Sequence, residues 1–141
     1  MMDFEERLVR RGIPRAEMLE RVARFADLQG FDGGLADSRM PGCERTLFNV
    51  SEGFNIGFCR AKPGNGPLLH NHDTNETFIA ITGTWRGVWL DDHGREDWVD
   101  LRPLDTISFP SGAVRRFQNV TAGDPQVESL LLFVIGGDAP E

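Results

Sequence analysis

Cysteine is scarce in this chain: Cys43 and Cys59 are its only two in 141 residues. They are too few for a disulfide framework and too far apart for a CxxC motif, so both are expected to be small buried hydrophobes in a reducing compartment. Positive charge is short as well, with 15 Lys and Arg against 22 Asp and Glu and a net charge of -7. That balance repels phosphate backbones and anionic lipid, which argues against nucleic acid and membrane surfaces as partners. Long apolar runs are missing. The N-terminal stretch MMDFEERLVRRGIPRAEMLERV is charged from its third residue and has no segment of signal-peptide or membrane-span length, so the expected location is cytoplasmic. No serine lies in a GxSxG context, which leaves nucleophilic serine catalysis without support. Gly136, Gly137 and Asp138 follow the last apolar run with no helix after them and read as a chain exit, not a phosphate loop.

A chain of this length with 40% hydrophobic residues fits one domain with one core. Phe4, Leu8 and Val9, then Met18, Leu19, Val22 and Phe25, recur at helical spacing around the interruption Gly12-Ile13-Pro14, which predicts one or two short amphipathic helices. Residues 30–43, GFDGGLADSRMPGC, read as a connecting loop. Beyond Glu44 the pattern becomes strand-like: RTLFNV, FNIGFCRA, PLLHNH, ETFIAIT, TWRGVWL, EDWVDL, DTISFP, VRRFQNV and ESLLLFVI, separated by PGNG, DDHG and PSG turns. With no helical segment between them, parallel βαβ units are disfavoured and an antiparallel sandwich or barrel is expected. A four-residue loop at Asp91–Gly94 would set Leu90 against Arg95 and Trp98 against Gly87, giving a face lined by Trp85, Trp89 and Trp98 suited to core or subunit packing. His93 falls at the tip of that loop as a solvated turn residue. In FNIGFCRA, Cys59 shares parity with Asn55 and Gly57, opposite Phe54, Ile56 and Phe58, and is expected to face inward.

Two of the three histidines stand together in GNGPLLHNHDTNETFIAITG. On a strand, residues i and i+2 share a face, so His70 and His72 project together with Cα atoms roughly 6.5–7 Å apart. The short turn Asp73-Thr74-Asn75 brings the chain back, and Glu76 opens the next strand with a carboxylate for the same spot. Two imidazoles and one carboxylate leave neighbouring coordination positions open, a set that suits non-haem iron and tolerates manganese, nickel, cobalt or zinc.

The same stretch matches G-x5-H-x-H-x3-E-x6-G through Gly64, His70, His72, Glu76 and Gly83, and so resembles the first conserved motif of the cupin family. LDTISFPSGAVRRFQN resembles the second, G-x5-P-x-G-x2-H-x3-N, at Pro110, Gly112 and Asn119. It departs at Leu104, where the family has glycine, and at Arg115, where the family has its last metal-binding histidine. The resemblance spans roughly residues 44 to 136. It implies an all-β fold, a jelly-roll β-barrel with the site inside it and short N-terminal α-helices added, often assembled as a homodimer. The expected organisation is an N-terminal helical segment and loop, 1–43, packing on a cupin barrel, 44–141.

Alternation sets Arg115, Phe117 and Asn119 on one face, so Arg115 points inward if Phe117 does. A guanidinium inside a barrel needs an acidic partner or an anionic ligand. Three readings follow. His70, His72 and Glu76 hold a divalent metal while Arg115 anchors a small, anionic organic substrate, as in a dioxygenase or isomerase, with Glu76 and Arg115 as catalytic groups and Phe78, Trp85 and Phe117 lining the substrate pocket. Or Arg115 pairs with Glu76 and the barrel binds a small ligand without an ion. Or the barrel binds without turnover.

Overall fold

The computed structural model describes residues 11–27, 42–48, 50 and 52–139. Eight strands carry the fold among them: β1 (Cys43–Phe48), β2 (Phe54–Ala61), β3 (Glu76–Ala80), β4 (Trp85–Leu90), β5 (Glu96–Leu101), β6 (Thr106–Phe109), β7 (Arg115–Asn119) and β8 (Ser129–Gly136). Every pairing is antiparallel. One sheet runs β1-β2-β8-β3-β6 and the other β5-β4-β7. The strands form where polar and apolar residues alternate: β2, β3, β7 and β8 each bury every second side chain. Those inward residues join in one core that includes Cys59, Phe78, Trp85, Phe109, Phe117, Leu131 and Phe133. Each large apolar side chain so buried contributes roughly 1.5–3 kcal/mol.

Register stacks the interior in layers. Glu76 pairs with Ile135, Phe78 with Phe133 and Ala80 with Leu131; across the other sheet Trp89 pairs with Arg115, Gly87 with Phe117 and Trp85 with Asn119. Glu76 and Arg115 therefore lie toward one end of the barrel. Phe78 and Phe117 form the next layer, with ring centroids 4.8 Å apart, and Trp85 lies one step deeper.

The expected strand PLLHNH does not form; the segment makes one isolated bridge, His70 to Arg115. It still runs along β7, bonded at Gly64 N–H to Asn119 O (2.7 Å), at Asn119 N–H to Asn65 O (2.9 Å), and both ways between His70 and Arg115. Between those contacts the segment advances from 65 to 70 while β7 steps only from 119 to 115, so one extra residue bulges out. Pro67 has no N–H to give a ladder. Gly66 presses so closely on the Phe117 carbonyl that a Cβ there would collide with it.

The β4–β5 hairpin is shifted by one residue from expectation: Leu90 pairs with Glu96, Val88 with Trp98 and Gly87 with Val99. Asp91 N–H bonds to Arg95 O at 2.8 Å, which closes a three-residue loop with Gly94 at φ 74°, a geometry that wants glycine in the left-handed region. The Asp91 carboxylate secures it by accepting from the N–H groups of His93 and Arg95. Trp98 consequently leaves the face it was expected to share with Trp85 and Trp89; it is 51% exposed, and the Arg86 guanidinium lies 3.8 Å from its ring centroid. Among the described residues β5 pairs with β4 alone, and it exposes residues Glu96 to Asp100 on both of its faces.

Of the expected N-terminal helices, the structure shows a five-residue α1 (Arg15–Leu19), begun at Pro14, and a single 3-10 turn (Phe25–Asp27). Neither buries a residue. So short a helix has too few turns to present an apolar stripe, and Met18 and Leu19 remain about half exposed. The Phe25 ring meets Phe58 of β2 edge-on at 5.2 Å. Residues 4–10 of the expected helix and the expected loop as far as residue 41 lie outside the described residues.

Leu104, which replaces a motif glycine, adopts φ 73°, and among the described residues no other non-glycine has positive φ. The backbone keeps the turn, closed by Asp105 N–H to Arg102 O at 2.9 Å, although the side chain gains little at 75% exposure. Leu104→Gly relieves a left-handed conformation that costs about 1–2 kcal/mol, against a smaller entropic loss. Thermal denaturation should show a net gain of about 1 kcal/mol; an unchanged or lowered Tm would contradict it.

Candidate metal centre

β3 starts at Glu76 immediately after the Asp73-Thr74-Asn75 turn, and the backbone bridge to Arg115 holds His70 beside it. The irregular segment does what the expected strand would have done: one nitrogen of His70, one of His72 and one oxygen of Glu76 lie within 4.8 Å of one another. The two imidazole centroids are 5.0 Å apart with rings at 79°, and His72 Nε2 is 3.9 Å from Glu76 Oε1. His70 Nδ1 lies 2.8 Å from the Leu68 carbonyl oxygen. A carbonyl only accepts, so Nδ1 carries the proton and Nε2 keeps its lone pair, the tautomer and fixed ring that a metal ligand needs. Both histidines are half-buried, open enough for an ion or ligand to reach. The donors fit a divalent transition ion of the nitrogen and oxygen type; ligands on one ion stand closer than these do, so binding would draw them together.

Arg115 is wholly buried at 0% exposure and Glu76 nearly so at 6%. Arg115 Nη2 donates to Glu76 Oε1 at 3.2 Å, Nη1 to the Ala113 carbonyl at 2.9 Å, and Nε has no partner. The ion pair and the three-donor cluster thus occur together. A carboxylate with about four lone-pair directions accommodates both. Burial raises the Glu76 pKa, against the opposing charges of Arg115 and Arg45. The folded carboxyl holds its proton to higher pH than the unfolded one, so this group favours the fold most below its ordinary value of 4.5, and that contribution is lost as the pH rises through the raised native value.

Phe78, Trp85 and Phe117, expected to line a substrate pocket, are core residues that pack on one another: Trp85 and Phe117 centroids are 5.8 Å apart, and neither Phe78 nor Trp85 retains exposed surface. The aromatics level with Arg115 and Glu76 are Trp89, half-buried against the core, and the buried Phe109. Sequence reasoning had Trp89 as a packing residue; the register of β4 with β7 shows its position. It also passed over Arg45, whose inward side shows only in the β1–β2 register, where it pairs with inward Cys59. Cys43 and Cys59 are buried free thiols. Burial, Cys43 and Glu76 all push the Cys59 pKa well up, leaving it no thiolate role. His93 is exposed on its loop, as expected. A groove of about 520 Å³ lies behind the histidine segment, lined by Pro67, Leu68, Arg116 and Gln118 among others, and does not include the histidines.

Solved structures with this fold include oxalate decarboxylase of Bacillus subtilis. A structure from work on its Mn(II) centres superposes with a TM-score of 0.63 at 23% identity, over 82% of this chain and 29% of that one. A tryptophan-to-tyrosine variant gives 0.62 at 24% identity, over 81% and 28%, and an oxalate decarboxylase structure from work on the substrate binding mode gives 0.63 at 24%, over 81% and 28%. This chain therefore spans less than a third of the length of those enzymes. No family model matches the chain, nor does any curated protein. The fold is cupin-type, as the histidine motif implied. Among the described residues, no helix is long and apolar enough to cross a membrane.

Removing Glu76 strands a buried guanidinium that stays charged. Glu76→Leu should cost about 3–5 kcal/mol in chemical denaturation, and Glu76→Gln less, because the amide oxygen still accepts from Arg115. Equal costs for the two variants would mean that the pair's charge contributes nothing.

Proposed function

We propose that this chain is a small metal-dependent cupin enzyme of the dioxygenase or isomerase type that acts on a small, anionic organic substrate. The observation that carries the reading is the convergence of His70, His72 and Glu76, with Nδ1 of His70 tied to the Leu68 carbonyl so that the lone pair is left on Nε2. These three residues would hold the ion, iron, manganese, nickel, cobalt or zinc by donor type; when bound it supplies a Lewis acid or a site for activating oxygen. Arg115 binds and orients a substrate carboxylate through donors that Glu76 leaves free, and Glu76 moves a proton at its carboxylate. Phe78 and Phe117 form the apolar floor that keeps water from the underside, with Trp85 supporting them from below. The N-terminal segment, residues 1–43, packs on the barrel, which the Phe25–Phe58 contact and the Arg21–Glu52 pair support. The working form is a cytoplasmic homodimer, in keeping with free thiols, net negative charge and apolar strands.

The Arg115–Glu76 ion pair favours a second reading, in which the barrel binds a small ligand with no ion. Metal analysis separates the two. Protein purified without chelator and titrated with Mn(II) or Fe(II) should bind about one ion per chain, and His70→Ala or His72→Ala should abolish it; wild-type protein that takes up no metal would leave the second reading standing. Loaded protein should then consume small oxo- or hydroxy-acids, followed by proton NMR and oxygen uptake.

A neighbouring guanidinium repels a cation, and a third imidazole, as a fourth ligand, would bind it. Arg115→His should therefore raise Mn(II) affinity about tenfold or more, equivalent to about 1.4 kcal/mol. Calorimetric titration checks this, and unchanged affinity would place Arg115 outside the metal's reach.

A further inference from the structure

A second guanidinium faces the same interior. Arg45 of β1 pairs in register with inward-facing Cys59, and its charge acts on both the Cys59 thiol and the Glu76 carboxyl. It is half-buried, and among the described residues it makes no hydrogen bond or ion pair; its Nε is sealed from solvent with no acceptor. The Nε of Arg115, on a side chain with no exposed surface, is in the same state. A dry N–H on a cation is costly to leave unpaired, and here there are two. They come from different walls of the barrel: β1 belongs to the five-stranded sheet and β7 to the three-stranded one. Both act on one carboxylate, Glu76, which Arg115 already engages. The site thus carries one excess positive charge within a chain of net charge -7, and a divalent ion on the histidines would add two more. A monoanion with one acceptor balances the metal-free excess but leaves one of the two guanidinium groups unmet, whereas a dianion with an acceptor at each end meets both orphaned donors and offsets more of the charge once a divalent ion is added.

We propose that Arg45 is a specificity-determining anchor that, together with Arg115, selects a small dicarboxylate for this site. The proposal rests on the function proposed above for the substrate's place, but the two arginines do not need the metal to attract an anion. Isothermal titration of chelator-treated and Mn(II)-loaded protein with oxalate, malonate and succinate, against acetate, tests it. At least one dicarboxylate should bind about tenfold tighter than acetate. Arg45→Gln should erase that preference without changing Mn(II) stoichiometry, and Arg45→Lys, which keeps the charge, should retain part of it. Circular dichroism and Tm of the variants confirm that the barrel is intact. Dicarboxylates that bind no better than acetate, or an Arg45→Gln protein that keeps the preference, overturn the proposal. Wild-type protein that takes up no Mn(II) yet binds a dicarboxylate through Arg45 supports it while the metal reading falls.

Discussion

Arg115 joins the parts of the site twice over. Its backbone exchanges hydrogen bonds with His70, at 3.0 and 2.8 Å, and its guanidinium holds Glu76 from the neighbouring sheet. Through one residue, the irregular histidine segment, the edge of one sheet and the first residue of a strand in the other are fixed relative to each other. Glu76 is in turn located by β3 pairing with both β6 and β8. The convergence of donors is therefore a property of the fold's backbone ladders, and the ion pair sits on top of a geometry already set.

That arrangement has an electrostatic character unlike the rest of the molecule. Most ion pairs here are exposed or half-exposed, such as Arg86 with Asp100 or Arg60 with Glu44 and Glu128, and screening leaves such contacts little energetic weight. Arg115 and Glu76 are paired where little water reaches, so their interaction and its loss both count heavily. A buried arginine remains charged where a histidine could discharge. Replacing the motif's imidazole with a guanidinium exchanges a ligand for a permanent cation, and the interior has been fitted around it by the Ala113 carbonyl and the Phe109 ring, 5.9 Å away.

Much of the strand order was legible because polar and apolar residues alternate in FNIGFCRA, RRFQN and SLLLFVI, and such alternation admits one inward face. The parity of Cys59 and the inward turn of Arg115 followed from it. Legibility failed where one residue changes the register. The hairpin at Asp91 closes a residue tighter than expected because Asp91 can bond Arg95 and glycine stands at position 94, which moved Trp98 to the opposite face. The histidine segment kept its spacing but not its ladder, since Gly66 and Pro67 interrupt it. The site survived that error because two side chains two residues apart need only share a side, not a strand. Arg45 was missed for a different reason: a charged residue on a short strand reads as solvent-facing until its cross-strand partner is known.

Among the described residues no strand pairs with the outer edge of β5, and three of the strand's six residues are acidic: Glu96, Asp97 and Asp100. Unpaired strand edges invite a second chain to add to the sheet, and carboxylates along the strand oppose this by facing their own likeness in any symmetric approach. Charge along the strand therefore guards this flank against fibrillar growth, and any ordered pairing of two copies is steered toward other surfaces. In strongly acidic solution, where those carboxyls are neutral, the guard is withdrawn and the same flank becomes adhesive.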